Sequence, residues 1–120
     1  MRIVFDLDGT ICDLREPEQS YIDVQPKDGA REVLQELKSQ GHYIIIYTAR
    51  HMKTCNNNVN LVRAKIGQLT IDWLNNHGIL YDELIFGKPF GDIYIDDLAF
   101  RFNSWEDIKN NLKTYSLVKE

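Results

Sequence analysis

The stretch Arg2-Ile3-Val4-Phe5-Asp6-Leu7-Asp8-Gly9-Thr10 reads as a short buried strand that runs into two carboxylates and a turn. If Arg2 to Asp6 is extended, Asp6 is its last residue. The period-2 alternation of a strand then sends Asp6 and Asp8 to one side and Leu7 to the other. Two carboxylates that share a pocket repel, and the pair is stable only beside a cation or with one carboxyl protonated. An ordinary Asp-Gly turn at a strand end is the competing reading, so the rest of the chain has to decide.

The chain has 120 residues, 43% of them hydrophobic and 27% charged, which is the composition of an ordinary globule and the size of one domain, residues 1–120. A formal charge of −4 with no long basic cluster argues against nucleic acid and anionic membrane as partners. Cys12 and Cys55 stand in no ligand or redox spacing, so each reads as a buried or half-buried thiol. The longest apolar run, Tyr43 to Tyr47, is far too short to span a bilayer, and the chain enters its first strand without a signal-peptide pattern. A cytoplasmic enzyme or binding module is the expectation.

Ile11 to Gln25 has no sustained period and reads as a loop or flap over the end of the first strand. Pro26-Lys27-Asp28-Gly29 opens a helix with Ala30, Val33, Leu34 and Leu37 as its apolar stripe, and Gly41 stops it. Tyr43-Ile44-Ile45-Ile46-Tyr47 is a second buried strand, ending at Thr48-Ala49-Arg50. The segment 51–60, with Asn56-Asn57-Asn58, reads as a loop. A helix over about 61–76 carries Ile66, Leu69, Trp73 and Leu74 on one face. Glu83-Leu84-Ile85-Phe86 and Ile93-Tyr94-Ile95 are two more short strands, closed by Gly87-Lys88-Pro89 and by Asp96-Asp97. Trp105, Ile108 and Leu112 mark a last helix, with a frayed or docking tail from Thr114. Strands alternating with helices imply an α/β fold with a mainly parallel sheet and helices on both faces.

In open sheets of this kind ligands bind beyond the carboxyl ends of the strands. The four predicted strands deliver Asp6 with Asp8, Thr48, Lys88, and Asp96 with Asp97 to those ends. An oxygen-only carboxylate cluster suits a hard cation, Mg²⁺ first. With such a cation, one Asp can attack a phosphoryl phosphorus while the other moves protons. Thr48 Oγ1 and the Ala49 N–H are candidates to hold phosphoryl oxygens, and Lys88 to offset the charge that redistributes in the transition state.

Asp6-Leu7-Asp8-Gly9-Thr10, Thr48 after a hydrophobic strand, Lys88, and Ile95-Asp96-Asp97 resemble, in order, the four motifs of the haloacid dehalogenase superfamily. The resemblance implies a Rossmann-like three-layer sandwich, a Mg²⁺ cofactor and an aspartyl-phosphate intermediate. It implies Asp6 as nucleophile and metal ligand, and Asp8 as general acid/base with its carbonyl on the metal. Thr48 and Lys88 are implied as phosphate holders, Asp96 as a metal ligand, and Asp97 as a ligand either directly or through water. Thr10 belongs to the phosphatase form of the signature, and a dehalogenase would not carry Asp8. More narrowly, Thr48-Ala49-Arg50-His51-Met52, the Asn-rich stretch and Gly87-Lys88-Pro89-Phe90 are similar to the capsule-biosynthesis phosphatases, which implies a phosphorylated sugar or polysaccharide precursor as substrate.

Arg50, His51 and Lys53 are candidates for a second anionic group of the substrate, with a solvated loop as the competing reading; Thr10 is a further candidate for substrate contact. His77 reads as a helix-end cap, and Trp73 and Trp105 as core. Members of this superfamily often insert a cap domain, but 11–25 and 51–60 are too short for one. The expected site is therefore open, or covered in part by a loop or by a second copy in a homo-oligomer. Two alternatives stay beside the phosphomonoesterase reading: a phosphotransferase or mutase, and a phosphate-responsive binding module similar to a response-regulator receiver.

Overall fold

The computed structural model describes the backbone of residues 1–119 and the side chains through Lys113. Three parallel strands, β1 (Arg2–Asp6), β2 (Tyr43–Thr48) and β3 (Glu83–Phe86), form a sheet in the order β1-β2-β3. The register pairs Ile3 with Ile44, Phe5 with Ile46 and Asp6 with Tyr47, then Ile46 with Leu84 and Thr48 with Phe86. All three strands therefore end at the same edge. The α/β class with a parallel sheet, expected from the order of elements, stands.

Each crossover is a helix whose apolar stripe meets the sheet. Helix α1 (Ala30–Ser39) buries Ala30, Val33, Leu34 and Leu37, as its spacing predicts. Between β2 and β3 the chain runs through α2 (Val59–Val62), a π-helical segment (Arg63–Gly67) and α3 (Gln68–Asn76). Asn58 starts α2 by accepting the Leu61 N–H at 3.2 Å. The wider π turn resets the helical phase, so that Ile66 packs with Met52, Cys55, Val62 and Phe86, while Trp73 and Leu74 join Phe5, Leu7, Leu34, Ile44 and Ile46. Helix α4 (Trp105–Lys119) closes the main core through Trp105, whose ring lies 5.3 Å from that of Phe5 and whose Nε1–H donates to the Thr10 carbonyl at 2.8 Å. Trp73 and Trp105 are core residues, and His77 caps α3. On the other face of the sheet Val4, Tyr43 and Ile85 are exposed.

The segment after β1 is less free than a flap. Asp13 N–H bonds to Gln25 O at 2.9 Å, Lys27 N–H to Ile11 O at 2.8 Å, and buried Val24 offers its carbonyl to Trp73 Nε1 at 2.9 Å. Its base is pinned, and a 3₁₀ turn over Tyr21–Asp23 lies near its end.

The fourth strand expected over Ile93-Tyr94-Ile95 does not form. Residues 91–101 lie outside the sheet and are exposed, Ile95 at 92%. Short-range contacts hold the run away: Tyr94 Oη donates to the Pro89 carbonyl at 2.5 Å, its ring lies 4.2 Å from Lys88 Nζ, and Asp96 accepts the Leu98 N–H at 2.7 Å. Three residues between Asp92 and Asp96 are too short a run for strand pairing to outweigh these turns. The tail from Thr114 continues as helix to Lys119; its side chains, and Glu120, lie outside the described residues.

Candidate active site

At the carboxyl end of the sheet Asp6 pairs with Tyr47 and, one residue further on, Thr48 pairs with Phe86, so that Asp6, Thr48 and Phe86 make its last row of strand ends. Lys88 is held beside that row because its N–H donates to the Thr48 carbonyl at 3.1 Å. Gly87 makes this exit: its φ is 101°, and a Cβ there would sit 3.0 Å from Val59 Cγ2, so another residue would be strained and crowded. The ammonium of Lys88 then lies 3.3 Å from Asp6 Oδ1, and Thr10 Oγ1 lies 3.4 Å from Asp6 Oδ2. Burial pushes the Asp6 carboxyl above its ordinary pKa; Lys88 pulls it back down, and the neighbouring Asp8 adds to the rise.

The turn that follows brings Asp8 back over the strand end. The Leu7 carbonyl accepts the N–H groups of Thr10, Ile11 and Cys12 at 3.2, 2.9 and 3.1 Å, and Gly9 supplies the left-handed residue with φ at 87°. The two carboxylates do not share a cation. Asp8 is held by Arg50, whose Nε lies 3.1 Å from Oδ1 and 3.0 Å from Oδ2, and whose Nη2 lies 3.0 Å from Oδ1. Thr48 Oγ1 adds a contact to Oδ2 at 3.4 Å while it accepts the Arg50 N–H at 3.1 Å. Cys12, whose Sγ lies 3.5 Å from Asp8 Oδ1, is pushed up to about 12 by burial and by Asp8, so its thiol stays protonated and offers no nucleophile.

Asp6, Asp8, Thr10, Thr48 and Lys88 therefore lie together, with Ala49 half-buried next to Thr48. Asp96 and Asp97, with the unformed strand, are exposed outside the sheet and are not brought to this row. Among the described residues no group of three or more His, Cys, Asp or Glu side chains is placed to hold a metal ion.

The cationic group expected at 50–53 is arranged differently from the expectation. Arg50 is 2% exposed and turned inward to Asp8. His51 takes a left-handed backbone, φ 58°, with its ring 5.8 Å from that of Tyr21, and its Nδ1 is buried without a hydrogen-bond partner. Burial, then Lys65, Arg15 and Arg50, lowers its pKa, so it is neutral at pH 7. Lys53 is exposed, with its ammonium 5.3 Å from the centre of the Phe90 ring. The long side chain of Arg50 points into the interior because two residues outside the motifs receive it: Thr70 Oγ1 at 3.1 Å from Nη1, and the ring of Tyr21 at 4.2 Å from its guanidinium carbon. Thr70 has a sequence signal, a hydroxyl on the apolar face between Ile66 and Trp73. Tyr21 has none.

Residues 3–83 match the family of haloacid dehalogenase-like hydrolases. A provisionally named 5'(3')-deoxyribonucleotidase from Chlorobaculum tepidum is 37% identical over 73 residues, 58% of this chain and 33% of the relative. The chain thus spans about a third of the length of that curated relative. The crystal structure of a structural-genomics target from Vibrio cholerae superposes with a TM-score of 0.78 at 31% identity, covering 95% of this chain and 98% of the other. A chain in the structure of the Pnkp1/Rnl/Hen1 RNA repair complex shares the fold, with a TM-score of 0.50 at 23% identity over 95% of this chain and 31% of its own.

Proposed function

Because the chain belongs to the haloacid dehalogenase-like hydrolases, we propose that it is a phosphomonoesterase acting through a phosphorylated Asp6. The observation that carries this reading is the separate charge partner of each carboxylate. Lys88 stands 3.3 Å from Asp6, where a phosphoryl group would arrive, and Arg50 grips Asp8 two residues on. In the first step an Asp6 oxygen attacks phosphorus, the bond to the leaving oxygen breaks, and the proton on Asp8 goes to that oxygen. In the second, water attacks the same phosphorus and gives a proton to Asp8. The Asp6–phosphorus link breaks, its electron pair returns to the carboxylate, and inorganic phosphate leaves. Lys88 faces the charge that gathers on the phosphoryl oxygens, and the Ala49 N–H is the proposed second donor. Thr48 serves this site through Asp8, since its hydroxyl is fully buried and engaged there.

Mg²⁺ is the cofactor that the family resemblance implies, and when bound it would offset phosphate charge. The side chains as placed do not fit it: Asp6 faces Lys88, both oxygens of Asp8 face Arg50, and Asp96 and Asp97 stand apart. Every step above is carried by the chain's own residues.

For the leaving group we propose a phosphorylated sugar, on the resemblance of Thr48 to Met52 and Gly87 to Phe90 to capsule-biosynthesis phosphatases. The relative from Chlorobaculum tepidum favours a second reading, a deoxynucleoside monophosphate. Phosphate release from sugar phosphates, deoxynucleoside monophosphates and an aryl phosphate, each with and without Mg²⁺, separates them. Turnover of one class well above the other identifies the leaving group; no release from any compound by folded protein removes the phosphomonoesterase reading.

A further inference from the structure

The geometry points to Arg50 as a positioning residue for proton transfer by Asp8, rather than as a contact for substrate. The inference rests on the phosphomonoesterase reading and adds to it a residue whose side chain is removed from solvent. Long cationic side chains are rarely placed so deep unless each donor is met. Here the donors are met from three elements: Nε and Nη2 by Asp8, Nη1 by Thr70 of α3, and the guanidinium face by Tyr21. The Thr70 hydroxyl is itself fixed, since it donates to the Ile66 carbonyl at 2.8 Å. The backbone N–H of Arg50 holds Thr48 Oγ1 at 3.1 Å, so residue 50 steers Asp8 through both its main chain and its side chain.

The grip is asymmetric in a way that matters for chemistry. Asp8 Oδ1 receives Nε, Nη2 and the Cys12 thiol, whereas Oδ2 receives Nε and the longer contact from Thr48. Oδ2 is thus the oxygen with hydrogen-bonding capacity left for a proton in transit. As that proton passes to the leaving oxygen, negative charge grows on Asp8 beside a guanidinium already in place, which favours the transition state over the ground state. A residue that only supports the fold would give no such differential effect.

The difference appears as dependence on the leaving group. A nitrophenolate departs without a proton, whereas a sugar or alkyl alcohol needs one. Arg50→Lys keeps the charge but loses the fork that meets both oxygens. It is expected to lower kcat for an alkyl phosphate by about 10²-fold, within the usual contribution of a positioned acid, and by less than about threefold for nitrophenyl phosphate. Thr70→Val, nearly isosteric and remote from substrate, is expected to show the same imbalance at smaller size even if Arg50→Lys folds poorly. Equal losses with both substrates, or no loss in either folded variant, would overturn the inference while leaving the phosphatase reading intact. Failure of the unaltered protein to release phosphate from either substrate would remove that reading and this inference together.

Discussion

Asp6 is a carboxyl whose burial outweighs the pull of its cation, and this has a consequence that thermal melts can read. Its folded pKa is raised, so between the ordinary carboxylate value and that raised value the folded chain holds more protons than the unfolded one. Stability therefore falls as pH rises through this window, and the cost of the ionised form is fully present above it. Asp6→Asn should abolish turnover yet raise the Tm near neutral pH, with the gain shrinking as pH falls through this window and gone below the ordinary carboxylate value. A gain of unchanged size in acid would contradict this account of the Asp6 environment. At this scale the sequence was legible where a residue's role follows from its place on a strand: Asp6, Thr48 and Lys88 could be set at one edge from the strand pattern alone. The role of Arg50 was not. Its proximity to Asp8 depends on Thr70 and Tyr21, which lie 20 residues after it and 29 before it in sequence, and no local pattern tells a buried guanidinium from a solvated one.

The elements that hold the site are the strand ends and one distant helix. Trp105 ties α4 to the Asp6–Thr10 turn by packing on Phe5 and by its hydrogen bond to the Thr10 carbonyl, and it also approaches the start of α1 at Gly29, where a Cβ would lie 3.2 Å from its own Cβ. Trp105→Ala should cost about 3–5 kcal/mol in denaturant unfolding and lower phosphate release as the turn loosens; a loss below about 1 kcal/mol would mean that α4 does not clamp the turn. The 3.6-residue period located α1 and α3, and continuous apolar runs located β1 and β2, because each has enough apolar residues to be recognised. Ile93-Tyr94-Ile95 misled because three β-prone residues are too few to outweigh the local contacts of Tyr94 with Pro89 and Lys88 and of Asp96 with Leu98.

Across the whole molecule, among the described residues, both outer strands of the sheet keep an unpaired edge. β1 pairs on one side only, Val4 on it is 58% exposed, and the run 93–95 is exposed as well. Parallel addition of that run to β1 would carry Asp96 to the edge where Asp6 ends, so the expectation that Asp96 and Asp97 serve Mg²⁺ requires this rearrangement. Hydrogen exchange should then slow at Ile93, Tyr94 and Ile95 when Mg²⁺ is added; unchanged exchange at saturating Mg²⁺ would overturn the expectation that Asp96 and Asp97 are ligands. Among the described residues no helix is long and apolar enough to cross a membrane. Transfer of the phosphoryl group to Asp6 can be read by acid-quenching the protein during turnover of a phosphomonoester and mapping its peptides by mass. One added phosphoryl group is expected on the peptide that holds Asp6, absent in Asp6→Asn; phosphate release at an undiminished rate by Asp6→Asn, with no adduct on that peptide in the unaltered protein, would rule Asp6 out as the nucleophile.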